Sequence, residues 1–352
     1  MKKRIEYIDA LRGFTMILVV AVHVYSLCFM HGDVKEYDLS FNNFFGLFRM
    51  PLFFFISGFV FYKSDRVWNF TNLRKFLTSK VRVQIFSTLV FFLLFCFLFQ
   101  KDIKHSLFDS QKAGYWFTYI LFIYFTIYIV IDKIISWISK RNAFSSYTIF
   151  TTIIVGILLF YFINNGALLN ILSPKTTSLL SLSKWQYFIF FSFGSFIHKY
   201  YTYFLKWQEY RSLKDAIIFI FICAAIFIFY QNNNHIIISN TFIKLCTALF
   251  GIVIVMFIFR DNESHLSNST RIGRLLQSIG KRTLDIYFLH YFFLPYNLSA
   301  VGQWFSTNQN PLLEFILSIV LAIFVIICCL TTSRIIRIST SLTYLLLGGK
   351  KQ

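Results

Sequence analysis

Long apolar runs separated by short basic segments recur from one end of this chain to the other, a pattern that places most of the backbone in a lipid bilayer. Backbone in hydrocarbon must satisfy its hydrogen bonds internally, and a core of about 30 Å needs about 20 apolar residues in helical form. Ten runs qualify, centred on 13–30, 44–62, 83–99, 114–131, 147–163, 185–203, 216–230, 245–259, 283–300 and 312–332. They predict an all-α polytopic bundle of about ten transmembrane helices, one membrane domain over residues 1–352, with a tail from about residue 334. Only 14% of residues are charged and 57% are apolar, whereas soluble domains carry about 25% charged residues. That balance excludes a soluble globular enzyme, a disordered chain and a small disulfide scaffold.

The net charge of +19 would suggest a nucleic-acid partner if it were clustered on one face, but the cations sit in short connections, which excludes that reading. With the N-terminus inside, most of the 34 Lys and Arg residues fall on the cytoplasmic side, and eight lie outside or on outer halves: Lys35, Arg49, Lys101, Lys104, Lys112, Lys175, Lys184 and Lys244. This asymmetry orients both termini toward the cytoplasm. Lys2, Lys3 and Arg4 ahead of the first run resemble a signal peptide, yet no small-residue cleavage site follows, so an uncleaved first span is expected. The six cysteines all lie in apolar runs without CxxC spacing, so neither disulfides nor a zinc site is expected, and no metal is assigned.

Ionisable residues inside spans are costly and usually line a cavity. Arg12 and His23 both belong to the first run. At 100° per residue their spacing amounts to about 1,100°, within about 20° of three full turns, with a rise of about 16 Å, so they share one helix face at two depths. Asp9, one turn before Arg12, can orient its guanidinium. Taken singly, Arg12 also reads as a boundary anchor and His23 as a helix-packing residue. In the second run, Phe53, Phe54 and Phe55 read as packing and Ser57-Gly58 as a close-approach site. Ser57 would need an adjacent base to act as a nucleophile. Arg49 lies in the outer half of that span, suited to an anionic acceptor or an oxyanion, or else snorkelling outward. The ninth run carries Asp285, Tyr287 and His290 after Lys281 and Arg282. There Asp285 also reads as a cap and Tyr287 with Tyr291 as packing. His31, His105, His235 and His265 fall in connections or span ends, His198 at a cytoplasmic interface, and Glu314 near the outer start of the last span.

Several of these residues fall in blocks with a familiar order. Asp9-Ala10-Leu11-Arg12-Gly13 with His23, then MPLFFFISGF at 50–59, Trp116-Phe117, and GKRTLDIYFLHYFF at 280–293 together resemble the membrane-bound acyltransferase-3 family. The late block carries that family's Ile-Tyr-x-x-His element, and the blocks span most of the chain. The resemblance implies transfer of an acyl group, usually acetyl from acetyl-CoA, to a hydroxyl of a carbohydrate or lipid-linked glycan. It implies His23 as catalytic, Arg12 with Asp9 on the donor side, and Trp116 and His290 as cavity residues. It also implies a cell-envelope enzyme of the bacterial cytoplasmic membrane, surrounded by membrane lipids and without a permanently bound cofactor. The family's Arg-x-x-Arg element after the second span is met here by Arg74-Lys75 and Lys80-Val81-Arg82, and Arg49 stands where a His or Asp is common.

Acyl transfer from a thioester to a hydroxyl needs a base, charge stabilisation for the oxyanion and a dock for the anionic nucleotide of CoA. His23 is the candidate base, since a neutral imidazole can take the hydroxyl proton. Arg74, Lys80, Arg82, Lys281 and Arg282 are candidate phosphate contacts on the side where CoA is found, each equally explained one at a time by topology. A transporter or flippase for a glycan or small solute is the alternative that many spans and buried charges allow, although the four prolines at 51, 174, 295 and 311 do not pair as transporter repeats do.

Overall fold

The computed structural model describes residues 5–30, 34, 40–63, 68–139, 146–233 and 241–348. Lys2, Lys3, Arg4, His31, Lys35, Arg66, Lys140, Arg141, His235, Lys350 and Lys351, which enter the charge and histidine arguments, lie outside them. The described chain is helical, with no strand among the described residues. In order it forms α1 (Glu6–Val24), α2 (Phe41–Gly46), α3 (Arg49–Phe61), α4 (Phe70–Lys80) and α5 (Ser87–Leu98). Then come α6 (Ile103–Phe108), α7 (Trp116–Ser139), α8 (Ser146–Asn164), α9 (Ala167–Ile171) and α10 (Pro174–Leu179). The second half holds α11 (Phe188–Lys199), α12 (Tyr201–Glu209), α13 (Arg211–Asn233), α14 (Thr241–Asp261) and α15 (Arg271–Lys281). It closes with α16 (Thr283–Leu289), α17 (Ser299–Asn308), α18 (Pro311–Ile336) and α19 (Thr340–Leu346).

Seven stretches among the described residues are long and apolar enough to cross a membrane: Glu6–Phe29, Phe41–Phe61, Phe70–Leu98, Trp116–Ser139, Ser146–Asn164, Thr241–Asp261 and Pro311–Ile336. They coincide with the first five, the eighth and the tenth of the expected runs, and the seventh run is the continuous 23-residue α13. Two runs differ from the expectation of unbroken spans. In the sixth, the chain enters through a 3₁₀ turn at Leu182–Tyr187, and α11 ends after 12 residues. That is about 18 Å of helix against the roughly 30 Å of a bilayer core. In the ninth, α16 is only seven residues long and passes into a single 3₁₀ turn, His290–Phe292. Residues 294–298 have no regular structure, and Pro295 within them cannot continue a helix because it lacks the N–H and its ring clashes with the preceding turn. Irregular backbone at membrane depth persists where it is buried in protein or lines a cavity.

The helices form two compact units, one of residues 1–53 with 205–334 and one of residues 54–204 with 335–352. In the first, α1 lies along α15, and two glycines set how closely. A Cβ on Gly13 would run into the Leu276 carbonyl and the Gly280 amide, and one on Gly280 would run into the Asp9 carbonyl and the Gly13 amide. The two backbones therefore touch where no side chain intervenes, the small-residue mode by which helices associate without a hydrophobic driving force between them. Gly302 repeats the device against Phe29, seating α17 on the π-helical turn Tyr25–Phe29 that ends α1.

The second unit uses the same device between α3 and α11, where Gly58 meets the Phe191 backbone and Gly194 meets the Phe55 carbonyl. The expectation that Ser57-Gly58 marks a close approach is thus met at Gly58. Around that contact the core is aromatic: Phe61 stacks on Phe125 at 4.9 Å and lies 5.5 Å from Phe191. Gly46 has open space where a Cβ would go, which makes it a control. Gly13→Ala and Gly280→Ala are each expected to destabilise the protein by about 1–3 kcal/mol through forced separation of α1 and α15, with Gly46→Ala near neutral. Thermal unfolding of the three variants in one detergent checks this.

Candidate functional site

The α1–α15 contact fixes α1 against the segment that follows α15, and the first unit's polar residues gather there. Arg12 Nη2 donates to Thr283 Oγ1 at 3.0 Å. About three turns further along α1, His23 Nε2 lies 3.3 Å from the Tyr291 hydroxyl. The His23 ring also stacks on His290, with centroids 5.2 Å apart and planes at 27°. Both α1 side chains therefore reach the same neighbouring segment, as the shared helix face requires. Asp9, one turn before Arg12, is buried.

Two consecutive residues at the break in the ninth run, His290 and Tyr291, both have ring centroids 5.2 Å from that of His23. The His290 and Tyr291 ring centroids lie 4.0 Å from one another in the 3₁₀ turn. His290 is completely buried, while His23 is half-buried. His290 Nδ1 lies 3.0 Å and 2.9 Å from the carbonyls of Ile286 and Tyr287. Carbonyls only accept, so Nδ1 carries the proton and Nε2 is left as an acceptor. That buried Nε2 has no hydrogen-bond partner among the described residues.

Arg49 opens α3 and is close enough to His23 for its charge to act on that ring. The segment before it is pinned to α18: Glu314, completely buried, accepts from Asn42 Nδ2 at 2.6 Å and from Ser40 Oγ at 3.2 Å. Glu314 thus serves to hold the entrance to α3. Asp285 does not cap α16, which has no side-chain cap, but accepts from Ser333 Oγ at 2.6 Å and so ties α16 to α18. Tyr287 is buried with its ring 6.2 Å from His290. Lys281 is exposed, and Arg282 is half-buried with Nη1 buried and without a hydrogen-bond partner among the described residues.

The remaining candidates belong to the second unit. Arg74 is exposed. Lys80 lies over the Phe125 ring at 4.6 Å, and Arg82 over Tyr344 at 4.8 Å, both beside the start of the π-helical turn Val81–Phe86. Trp116 stacks with Tyr187 at 6.2 Å beneath the Lys184 ammonium, 4.9 Å from its ring. Ser57 is half-buried on α3. His198, expected at an interface, stacks on Phe59 at 4.5 Å and engages the Phe59 carbonyl through Nδ1.

A family model described as an acyltransferase domain matches residues 5–331, nearly the whole chain. The chain belongs to the acyltransferase-3 family. No curated protein and no solved structure matches it. Membership agrees with the resemblance read from the motif blocks and makes the protein an integral membrane acyltransferase. Two partners in the acyltransferase's first unit are not legible in the sequence as partners: Thr283, and Tyr291, which reads there as packing with Tyr287. Tyr291 directly follows the His of the Ile-Tyr-x-x-His element, the one signal that could mark it. If its hydroxyl holds the His23 ring in position, Tyr291→Phe lowers kcat about 10- to 100-fold with little change in donor KM, and steady-state kinetics checks the split.

Proposed function

We propose that this acyltransferase moves an acyl group, acetyl in the first instance, from acyl-CoA to a hydroxyl of a glycan or lipid-linked saccharide at the bacterial cytoplasmic membrane. The observation that carries the reading is the pairing of a half-buried His23, buttressed by Tyr291 and His290, with Arg12 at the other end of the same helix face. With His23 Nε2–H donated to the Tyr291 oxygen, Nδ1 presents a lone pair to the acceptor hydroxyl. The hydroxyl oxygen attacks the thioester carbonyl carbon as Nδ1 takes its proton. The resulting oxyanion carries the charge that Arg49 would stabilise. Collapse breaks the C–S bond, and the CoA thiolate leaves and recovers the proton from the imidazolium, giving an O-acyl ester and free CoA.

On the donor side, Arg12 with Asp9 would meet the pantetheine or phosphate end of CoA, and Arg282, with its buried Nη1, is a natural further phosphate contact. Lys281, Arg74, Lys80 and Arg82 remain lesser donor candidates, and Lys80 and Arg82 already cover aromatic rings. Direct transfer requires donor and acceptor to be bound together and forms no acyl-enzyme. No permanently bound cofactor takes part.

The test uses purified protein, labelled acetyl-CoA and a panel of saccharide acceptors. His23→Ala is expected to abolish transfer with donor affinity retained, and Arg12→Ala to weaken donor binding about tenfold or more, the worth of one charge-assisted hydrogen bond. Unchanged turnover in folded His23→Ala protein would remove the base assignment. Stoichiometric acetylation of the protein without acceptor would replace direct transfer by a two-step route.

A further inference from the structure

Within the second unit lies a cavity of about 200 Å³ that the acyl-transfer chemistry does not use, enclosed by α5, α6, α7 and the turns beside them. Its walls are mostly apolar, and its rim carries Leu89, Leu107 and Leu179, all exposed. Leu89 belongs to the membrane-crossing stretch Phe70–Leu98, so the mouth meets hydrocarbon. Two polar groups in the lining are out of keeping with such walls.

The first is Lys112, only 8% exposed. Its backbone is left-handed, φ +47°, a conformation costing a residue with a Cβ about 1–2 kcal/mol. That backbone turns the side chain inward, where the ammonium donates to the carbonyls of Leu107 at 3.0 Å and Ser178 at 3.4 Å and lies 5.5 Å from the centre of the Tyr119 ring. No carboxylate pairs with it among the described residues. Burial lowers its pKa, with Asp109 pulling partly the other way. The second is Gln84, 4% exposed in the π-helical turn Val81–Phe86, whose Oε1 is buried and without a hydrogen-bond partner among the described residues. Thr88 does not supply one: its hydroxyl is engaged by the Gln84 backbone carbonyl and by Thr118 Oγ1 at 2.6 Å.

A buried cation without an ion pair calls for an anionic oxygen, a bare amide oxygen calls for an O–H donor, and the apolar walls with a lipid-facing mouth call for a hydrocarbon chain. A phosphate ester on a long chain supplies all three. We propose that this cavity binds an anionic phospholipid or a polyprenyl phosphate, with a phosphate oxygen on Lys112 Nζ, a headgroup O–H donated to Gln84 Oε1, and the chain leaving past Leu89. The site stands apart from the catalytic reading and survives its failure.

Native mass spectrometry of the full-length protein released from detergent, offered phosphatidylglycerol, a polyprenyl phosphate and phosphatidylcholine at equal concentration, tests it. One or both anionic lipids should be retained at least about tenfold over phosphatidylcholine, the worth of a charge-assisted hydrogen bond. Which of the two dominates identifies the source. Lys112→Gln should erase the preference, while Lys104→Gln, an exposed lysine of α6, should leave it intact. Leu89→Trp, at the rim and clear of the Lys112 hydrogen bonds, should lower retention of the anionic lipids even if Lys112→Gln fails to fold. Equal retention of phosphatidylcholine, an unchanged preference in Lys112→Gln, or unchanged retention in Leu89→Trp would overturn the proposal.

Discussion

Backbone contact at Gly13 and Gly280 is the constraint on which the candidate site depends. Lipid tails are as apolar as the side chains around them, so burying more Leu or Phe gives two membrane helices little reason to meet at one register. Removing a side chain from each helix at the crossing point does, because the backbones can touch only there. Once that point is set, the geometry of α1 decides the rest. Arg12 is adjacent to the crossing and meets Thr283, while His23, about 16 Å along, meets the 3₁₀ turn at His290–Phe292.

The turn is the second requirement. Within it His290 and Tyr291 both back the His23 ring, one by stacking and one by hydrogen bonding. Asp285 and Glu314, both buried carboxyl groups, are engaged by Ser333 and by Asn42 and Ser40 and thereby hold α16 and the start of α3 in place. The ionisable groups of this unit thus divide into those that position helices and those, His23, Arg12 and Arg49, to which the proposed function gives a role toward substrate.

Membrane helices follow from the apolar runs, and the common face of Arg12 and His23 follows from helical periodicity, so both are legible in the amino-acid sequence alone. The motif blocks point to the family that the matching model bears out. Gly13 and Gly280 stand in two of those blocks, but nothing local says that they touch. Partners are less accessible: Thr283 lies 271 residues from Arg12 and Tyr291 lies 268 from His23, and no periodicity reports a contact across that separation. Span continuity is also hidden. Hydropathy averages over a window, so the seven-residue α16 and its 3₁₀ turn read as one run, with Pro295 the only local warning. Lys112 reads as an outer loop cation because its left-handed backbone, which turns it inward, leaves no trace in composition.

The glycine contact acts on chemistry by holding His23 against Tyr291. A double-mutant cycle on kcat, with Gly280→Ala and Tyr291→Phe made singly and together, measures that coupling directly. The double variant is expected to be scarcely slower than the slower single variant, because widening the α1–α15 contact already releases the His23–Tyr291 hydrogen bond. Fully multiplicative losses in kcat would contradict it, showing that the glycine contact and the His23 site act independently.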